Sequence, residues 1–206
     1  MKAHFVLVIF LIILAAGIRA QDDEPGKNEI SVWGGYSPDS TVSLIGRTPD
    51  ARFGIIALRY ARRFNNSDSV NLKYTADVIP AAFLNYRDAE LLNTVPPSAR
   101  LIRPTRYAFG AAPLGLQINF RPRKRVQPFL GTSGGFLIFS RQTPNFVGTR
   151  FNFTADLGGG VEFRLKEKRA LTLGYKYYHI SNAERGLANP GFDNNLIYVG
   201  YTFFSK

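Results

Sequence analysis

Three residues near the C-terminus have side chains that can together perform nucleophilic catalysis. The segment YKYYHISNAERGLANPGFDNN, residues 175–195, contains His179, Ser181 and Asp193. A serine hydroxyl is a weak nucleophile until a neighbouring base takes its proton and a third group orients that base. His179 is the only histidine after the first twenty residues, so it is the only imidazole available for this task there. The alternative is that these are three polar residues at the edge of a loop.

The hydrophobic start of the chain is typical of a secretory signal peptide. The sequence MKAHFVLVIFLIILAAGIRA has a lysine near its start, an apolar run from Phe5 to about Ile18, and then small and polar residues. We predict cleavage after Ala20, which divides the chain into a signal peptide (1–20), a short N-terminal segment (21–28) and a barrel (29–206). An N-terminal membrane anchor is the alternative. The sequence has no cysteine, which excludes a lipoprotein anchor and a disulfide framework.

The chain that follows the predicted signal peptide is basic and aromatic. Without Lys2 and Arg19 it contains 24 basic and 15 acidic residues. A secreted basic protein can bind nucleic acid, heparin-like polymers or an anionic membrane surface. The aromatic content is 14%, and Tyr and Phe collect at bilayer interfaces. We therefore expect a membrane, and no nucleic acid, as the partner.

Alternation of apolar and polar residues predicts long β-strands. In RFNFTADLGGGVEFRLK, residues 150–166, the odd positions are apolar and the even positions mostly polar or glycine. Strands of soluble sandwiches usually have about five or six residues, far fewer than this alternation covers. The same pattern predicts eight antiparallel strands, with a bulge near Pro113 in the fourth. They lie near 29–37, 52–64, 70–80, 106–121, 126–139, 150–165, 170–181 and 195–204.

The links between these strands alternate in length. The second, fourth and sixth (NNSDS, RPRKR and KEKR) are short, whereas the others are longer, the third running from Ala81 to Thr105. Short turns at one end and long loops at the other are typical of an eight-stranded transmembrane β-barrel of the outer membrane. A soluble lipocalin-like barrel, with its apolar residues inside, is an alternative that residue parity alone leaves open. We interpret Ser205 and Lys206 as an extension of the last strand.

This topology places the three candidate residues at the outer rim. Long loops of such barrels face outwards, so the seventh strand ends at the outer leaflet. His179 and Ser181 continue its apolar row, and Asp193 continues that of the eighth strand, so we expect all three on the outside wall. Two residues advance about 6.6 Å along one face of a strand, which lets imidazole and hydroxyl meet by side-chain rotation. An ester whose acyl chains lie in the outer leaflet suits this position.

The segments HISNA and NPGFD resemble the end of the lipid A 3-O-deacylases, the PagL-type hydrolases related to the acyloxyacyl-hydrolase-like group. SVWGGYS and YTADVIP are weaker likenesses to the same family. The family carries His-x-Ser-Asn and an acid, commonly Glu, fourteen residues after the His. The resemblance implies Ser181 as nucleophile, His179 as general base, Asp193 as the acid orienting it, and Asn182 as an oxyanion donor. Because Asp193 is one methylene shorter than Glu, Glu184 is the reserve acid.

The resemblance further implies an outer-membrane ester hydrolase that removes the 3-O-linked acyl chain from lipid A of lipopolysaccharide, without a metal or cofactor. Arg141, Arg150 and Arg185, in or beside the predicted outer loops, would dock the lipid A phosphates. The basic residues of RPRKR and KEKR are expected only to anchor the opposite turns. A non-catalytic structural or adhesive barrel and a phospholipid-directed esterase are the competing hypotheses. The oligomeric state, monomer or homodimer, stays open.

Overall fold

The computed structural model describes residues 27–42, 44–65, 67–96, 98–165 and 168–204. The predicted signal peptide and the predicted C-terminal extension lie outside the described residues. No helix in the described ranges has the length and hydropathy needed to cross a membrane. The same ranges contain β1 (Asn28–Ser37), β2 (Ser40–Thr41), β3 (Arg52–Arg63), β4 (Val70–Asn85), β5 (Asp88–Leu92), β6 (Ser98–Ile102), β7 (Thr105–Phe120), β8 (Val126–Thr143), β9 (Thr149–Arg164), β10 (Arg169–Ser181) and β11 (Phe192–Phe204).

Eight of these strands close into an antiparallel barrel. The order of neighbours is β1-β3-β4-β7-β8-β9-β10-β11, and β11 pairs back onto β1. That last pairing extends from Glu29 opposite Phe204 to Tyr36 opposite Ile197. Closure removes the unpaired edges that an open sheet would leave. The prediction of an eight-stranded antiparallel barrel is confirmed.

The outer wall of the barrel is apolar, whereas the buried inward positions include charged residues. On β3, Ile56 and Leu58 are 53% and 51% exposed, whereas Ala57 between them is fully buried. On β4, Lys73 and Asp77 are buried at inward positions. A soluble barrel would have the opposite distribution, so the lipocalin-like alternative is wrong and the predicted parity is confirmed.

Several buried ion pairs lie in the interior of the barrel. Lys73 Nζ lies 2.8 Å from Glu29 Oε2 and 3.5 Å from Glu162 Oε2. Arg59 Nε lies 2.7 Å from Asp77 Oδ1. An eight-stranded barrel has an interior just wide enough for side chains to fill. The described residues therefore enclose a packed core that contains both these ion pairs and a cluster of buried apolar side chains, among them Phe53, Tyr178 and Leu196.

We expect Lys73→Met to destabilise the barrel by about 3–5 kcal/mol, because it leaves two buried carboxylates without their shared cation. The measurement is the free energy of unfolding in urea with the protein in lipid vesicles. Lys124→Met, at an exposed turn position, is the matched control and should change this free energy by less than about 0.5 kcal/mol. Equal stability of the two variants would contradict a structural role for the Lys73 pairs.

Several strands extend further than the sequence analysis indicated. β4 continues to Asn85 instead of residue 80, and β11 begins at Phe192 instead of residue 195. The third link was predicted as one long loop, but it contains the hairpin β5–β6. The fifth link was predicted to be long, yet it spans only residues 144–148, because Thr143 still pairs with Thr149. Backbone pairing thus continues past the point where the apolar alternation stops.

The predicted bulge near Pro113 is confirmed. The register between β7 and β8 shifts between Ala111 and Leu114. Proline has no backbone N–H to donate to a neighbouring strand, so it is tolerated where the ladder is already interrupted.

Candidate active site

The register between β10 and β11 brings two of the three candidate residues together. His179 lies directly opposite Asp193 in this pairing. Directly opposite residues of antiparallel strands point to the same face, with Cβ atoms about 4.5–5.5 Å apart. Tyr175 and Ile197, lower in the same two rows, are exposed on the outer wall. His179 and Asp193 therefore both occupy outward positions at the long-loop end.

The imidazole and the carboxylate are in direct contact. His179 Nδ1 lies 2.6 Å from Asp193 Oδ1. When Nδ1–H donates to the carboxylate, Nε2 retains the lone pair and is free to act as a base. Although its side chain is shorter than that of Glu, Asp193 lies within hydrogen-bond distance of the imidazole ring.

The second oxygen of the Asp193 carboxylate is held by the loop between β2 and β3. This atom, Oδ2, accepts hydrogen bonds from the backbone amides of Leu44 (3.2 Å), Ile45 (3.1 Å) and Gly46 (2.9 Å). Successive backbone N–H groups aimed at one point form an anion-binding concavity. Asp193 is 0% exposed despite its outward position, because this loop covers it.

Ser181 lies at the end of the same outward row. It pairs with Phe153 of β9, whose ring is exposed on the outer wall. The Ser181 hydroxyl donates to Asn189 Oδ1 at 3.1 Å and accepts from the Ala183 amide at 3.0 Å. In this arrangement its partner is Asn189 and not His179. Catalytic hydrogen bonds are often formed only when substrate is bound.

A tight turn follows Ser181 directly. Ala183 and Glu184 have positive φ angles of 53° and 59°, and the Arg185 amide donates to Asn182 O at 3.2 Å. Two central residues with positive φ define a type I′ turn, which usually contains Asn or Gly because other residues are strained there. This turn directs the Ala183 amide towards the Ser181 hydroxyl.

Asn182 and Glu184 both contact the segment that leads to β11. Asn182 is buried; its Nδ2 donates to Ala188 O at 2.8 Å, and its backbone amide donates to Asn189 Oδ1 at 3.0 Å. Glu184 Oε1 accepts from Asn189 Nδ2 at 3.1 Å. Of the two acids considered from the sequence, Asp193 is the one in contact with His179.

The sequence analysis did not identify Asn189 or residues 44–46 as parts of the site. Asn189 is bonded to Ser181, Asn182 and Glu184 through one side-chain amide. Its position before Pro190 and Gly191 signals a turn, but nothing in that signal indicates a contact with Ser181. Residues 44–46 are distant in sequence and contribute backbone atoms, which residue type does not reveal.

Gly191 provides space beside the imidazole. Its φ is +65°, and a Cβ atom placed on it would lie 3.0 Å from His179 Cε1 and 3.3 Å from Gly46 Cα. A side chain at this position would therefore push on the His179 imidazole and would also be strained by the backbone conformation.

We expect Gly191→Ala to lower the rate of the reaction proposed below by about 100-fold, because small displacements of a reacting group have effects of that order. The measurement is the initial rate with purified, folded protein. Gly134→Ala is the matched control, since a Cβ at Gly134 meets nothing within 4 Å. Wild-type activity of Gly191→Ala would show that the ring has room to move.

The side chain of Arg185 lies on the outer wall near Ser181. The Arg185 guanidinium lies 5.6 Å from the ring centre of Phe151 and 6.0 Å from that of Phe153. Cation–π contacts of this length fix the direction of a guanidinium while its N–H groups remain available. Arg141 and Arg150 are exposed near the same rim, and Arg150 Nε donates to Phe139 O at 3.0 Å.

A closed eight-stranded barrel with an apolar outer wall defines a small β-barrel of the outer-membrane class. The profile of the lipid A 3-O-deacylase (PagL) family matches residues 61–202, more than half of the chain. The chain therefore belongs to this family. The match includes all of the candidate residues on β10, β11 and their connecting loop, whereas residues 44–46 precede it.

The solved structures that resemble the chain are distant from it in sequence. The crystal structure of the outer membrane enzyme PagL has a TM-score of 0.56 and 14% identity, covering 84% of this chain and 97% of that one. Neisserial surface protein A has a TM-score of 0.46 and 12% identity, covering 88% and 99%. OprG from Pseudomonas aeruginosa has a TM-score of 0.45 and 11% identity, covering 89% and 99%. No curated protein sequence matches the chain.

Proposed function

We propose that the protein is an outer-membrane serine ester hydrolase that removes the 3-O-linked acyl chain from lipid A of lipopolysaccharide. The observation that carries this proposal is the 2.6 Å contact between His179 and Asp193 on the outer wall of a chain that belongs to the deacylase family. A base oriented by a buried acid, two residues from a serine in the same row, is the arrangement that activates a hydroxyl.

In this mechanism Ser181 Oγ attacks the ester carbonyl and His179 Nε2 takes its proton. The hydroxyl must first exchange its bond to Asn189 for one to His179, which a rotation about χ1 can bring about. The C–O bond to the sugar then breaks, and His179 returns the proton to the leaving sugar oxygen. Water, deprotonated by His179, then attacks the acyl carbonyl, the bond between this carbon and Ser181 Oγ breaks, and His179 returns the proton to Oγ as the fatty acid leaves. Throughout, Asp193 maintains the tautomer and stabilises the imidazolium.

The donors for the developing oxyanion come from the turn after Ser181. The Ala183 amide, 3.0 Å from Ser181 Oγ, is the first candidate. The Asn182 side-chain amide has a second N–H besides the one bonded to Ala188, and it is the second candidate. Such donors are effective because they are oriented before the charge develops.

Arg185 is the residue we propose for binding a lipid A phosphate. It lies three residues beyond Asn182 and is held over Phe151 and Phe153, so its N–H groups remain free for an anion. Arg141 and Arg150 would contribute further positive charge at the same rim. A phosphate bound there orients the sugar so that its acyl chains follow the apolar wall downwards.

The location we propose is the outer membrane, crossed by the eight barrel strands, with the active site at the outer leaflet. Two features support this orientation: the candidate residues lie at the long-loop end, and the short turns lie at the other end. A substrate in the outer leaflet then reaches Ser181 from the side, without entering the polar interior of the barrel.

The test is to incubate purified, folded protein with lipid A in mixed vesicles and to analyse the lipid A by mass spectrometry. We expect a product lighter by one 3-O-linked acyl chain, together with the released fatty acid. The same protein in vesicles of phospholipid alone should release no fatty acid. An unchanged lipid A would support a structural or adhesive barrel, and fatty acid from phospholipid alone would support a phospholipid esterase.

A further inference from the structure

The segment that holds Asp193 also exposes aliphatic side chains. Val42, Leu44 and Ile45 are 62%, 78% and 66% exposed. Leu44 and Ile45 thus direct their backbone amides at the Asp193 carboxylate and their side chains away from the protein. Exposing three neighbouring aliphatic side chains to water costs free energy, roughly 25 cal/mol per Å² of uncovered apolar surface.

The position of these side chains indicates what covers them. β2 pairs with β11 at Asp193 and Asn194, and the amides of residues 44–46 then contact the outward-facing Asp193 carboxylate, so the loop lies over the outer face of β11. Lower on the same strand, Ile197 is 62% exposed on the apolar wall. Four residues separate Asp193 from Ile197, about 13 Å along a strand. The apolar patch of Val42, Leu44 and Ile45 thus lies on the outer side of the barrel, about 13 Å above the membrane-facing position of Ile197.

The loop between β2 and β3 is also hydrogen-bonded to the segment beside His179. Arg47 N donates to Pro190 O at 2.6 Å, and Thr48 N donates to Gly191 O at 3.3 Å. A Cβ atom on Gly46 would lie 2.7 Å from Asp193 Oδ1, so the glycine is needed for the loop to approach the carboxylate. Any movement of residues 44–48 is therefore transmitted to Asp193 and to the segment beside His179.

We propose that Val42, Leu44 and Ile45 insert among the lipid chains of the outer leaflet, and that this contact holds the three backbone amides on Asp193. The role of the contact in catalysis rests on the function proposed above, whereas insertion itself does not. Lipid contact would then stabilise the orientation of the general base, and residues 44–46 act as positioning residues. Loss of the apolar side chains would loosen the loop and weaken the hold on Asp193.

Insertion can be measured directly, because the chain contains no cysteine. A nitroxide is attached to Leu44→Cys, and its accessibility to oxygen and to an aqueous nickel chelate is compared in phosphatidylcholine vesicles. Ile197→Cys provides a reference on the membrane-facing wall, and Val95→Cys, fully exposed beside the β5–β6 hairpin, provides a reference in water. We expect the Leu44 label to be shielded from the chelate, as at Ile197. Chelate access equal to that at Val95 would overturn the proposal.

The coupling to catalysis is measured with the double variant Leu44→Ser and Ile45→Ser. We expect it to deacylate lipid A in vesicles about 10- to 100-fold more slowly, a range set by small misplacements of catalytic groups. Leu44→Ile with Ile45→Leu should restore the rate, since it keeps the apolar surface. Leu101→Ser, at an 83% exposed leucine of the β5–β6 hairpin, is the control for losing an exposed leucine.

The outcomes separate this proposal from the proposed function. An unchanged rate in the serine double variant would overturn the coupling, and a slow conservative variant would show that side-chain shape matters instead of lipid contact. If wild-type protein does not deacylate lipid A, the proposed function fails, but the nitroxide measurement still decides whether the loop inserts. Should Leu44→Cys not fold, the label is placed at Val42→Cys with the same references.

Discussion

Replacing Ser181 by alanine should reduce lipid A deacylation by a factor of about 10⁴ or more, because loss of a serine nucleophile removes most of the acceleration that such a site provides. The barrel should remain intact, since the partners of the Ser181 hydroxyl among the described residues, Asn189 Oδ1 and the Ala183 amide, are loop atoms. The measurement is the rate of fatty acid release with purified protein, with heat-modifiable migration in electrophoresis as the test of folding.

A matched serine and a second catalytic variant make this result specific. Ser98→Ala, at an exposed position of β6, should keep the wild-type rate. His179→Ala should be about as slow as Ser181→Ala, and the double variant no slower than either, because residues that act as a unit have non-additive effects. A serine-reactive phosphonate should label the wild type. It should label His179→Ala poorly, because the base is missing, and it should not label Ser181→Ala. Wild-type turnover of Ser181→Ala would refute the assigned nucleophile.

Replacing Asp193 by asparagine should lower the rate by about 10³- to 10⁴-fold, close to the effect of the same change in other serine hydrolases. The physical reason is that both carboxylate oxygens are in use. One contacts His179 Nδ1, and the other accepts from three backbone amides. An Asn side chain replaces one of the two carboxylate oxygens by an NH₂ group, which must face either the three amides or His179 Nδ1. Facing the amides, it loses the three hydrogen bonds that they donate; facing Nδ1, it donates to that nitrogen and reverses the tautomer.

Glu184→Gln is the comparison that decides between the two acids. The Glu184 carboxylate accepts a hydrogen bond from Asn189 Nδ2, and a glutamine oxygen can accept the same bond. We expect its rate to stay within about threefold of wild type, since a single exposed polar contact contributes little. The measurement is kcat with folded protein for both variants. The reverse pattern, a slow Glu184→Gln and an active Asp193→Asn, would assign the acid to Glu184.

The geometry at Asp193 supports our proposal of an aspartate as the acid, at a position where the sequence resemblance implies Glu. The shorter side chain still reaches Nδ1 at 2.6 Å because β10 and β11 pair His179 and Asp193 directly. Its other oxygen is reached by the loop from the opposite end of the sequence. We therefore expect a longer acid at position 193 to displace this loop from its position against Gly46.

The strands of the barrel and the faces of their side chains can largely be predicted from the amino-acid sequence alone. The direction of a side chain along a strand follows the two-residue period of the backbone, so alternation identifies strands and their faces without any long-range information. The odd positions of residues 150–166 were identified as one apolar face in this way, and Phe153 and Leu157 are exposed on the outer wall. The fourteen-residue separation of His179 and Asp193 is likewise compatible with a hairpin whose strands pair them.

The tertiary structure alone decided which groups surround these residues. The amides that hold Asp193 lie almost 150 residues away in sequence and come next to it only because β1 closes the barrel against β11. The contact of Asn189 with Ser181 depends on the path of an irregular loop, for which no sequence period exists. Side-chain alternation is a local property and was readable from the chain. The environment of the site is set by barrel closure and loop packing, which no local pattern encodes.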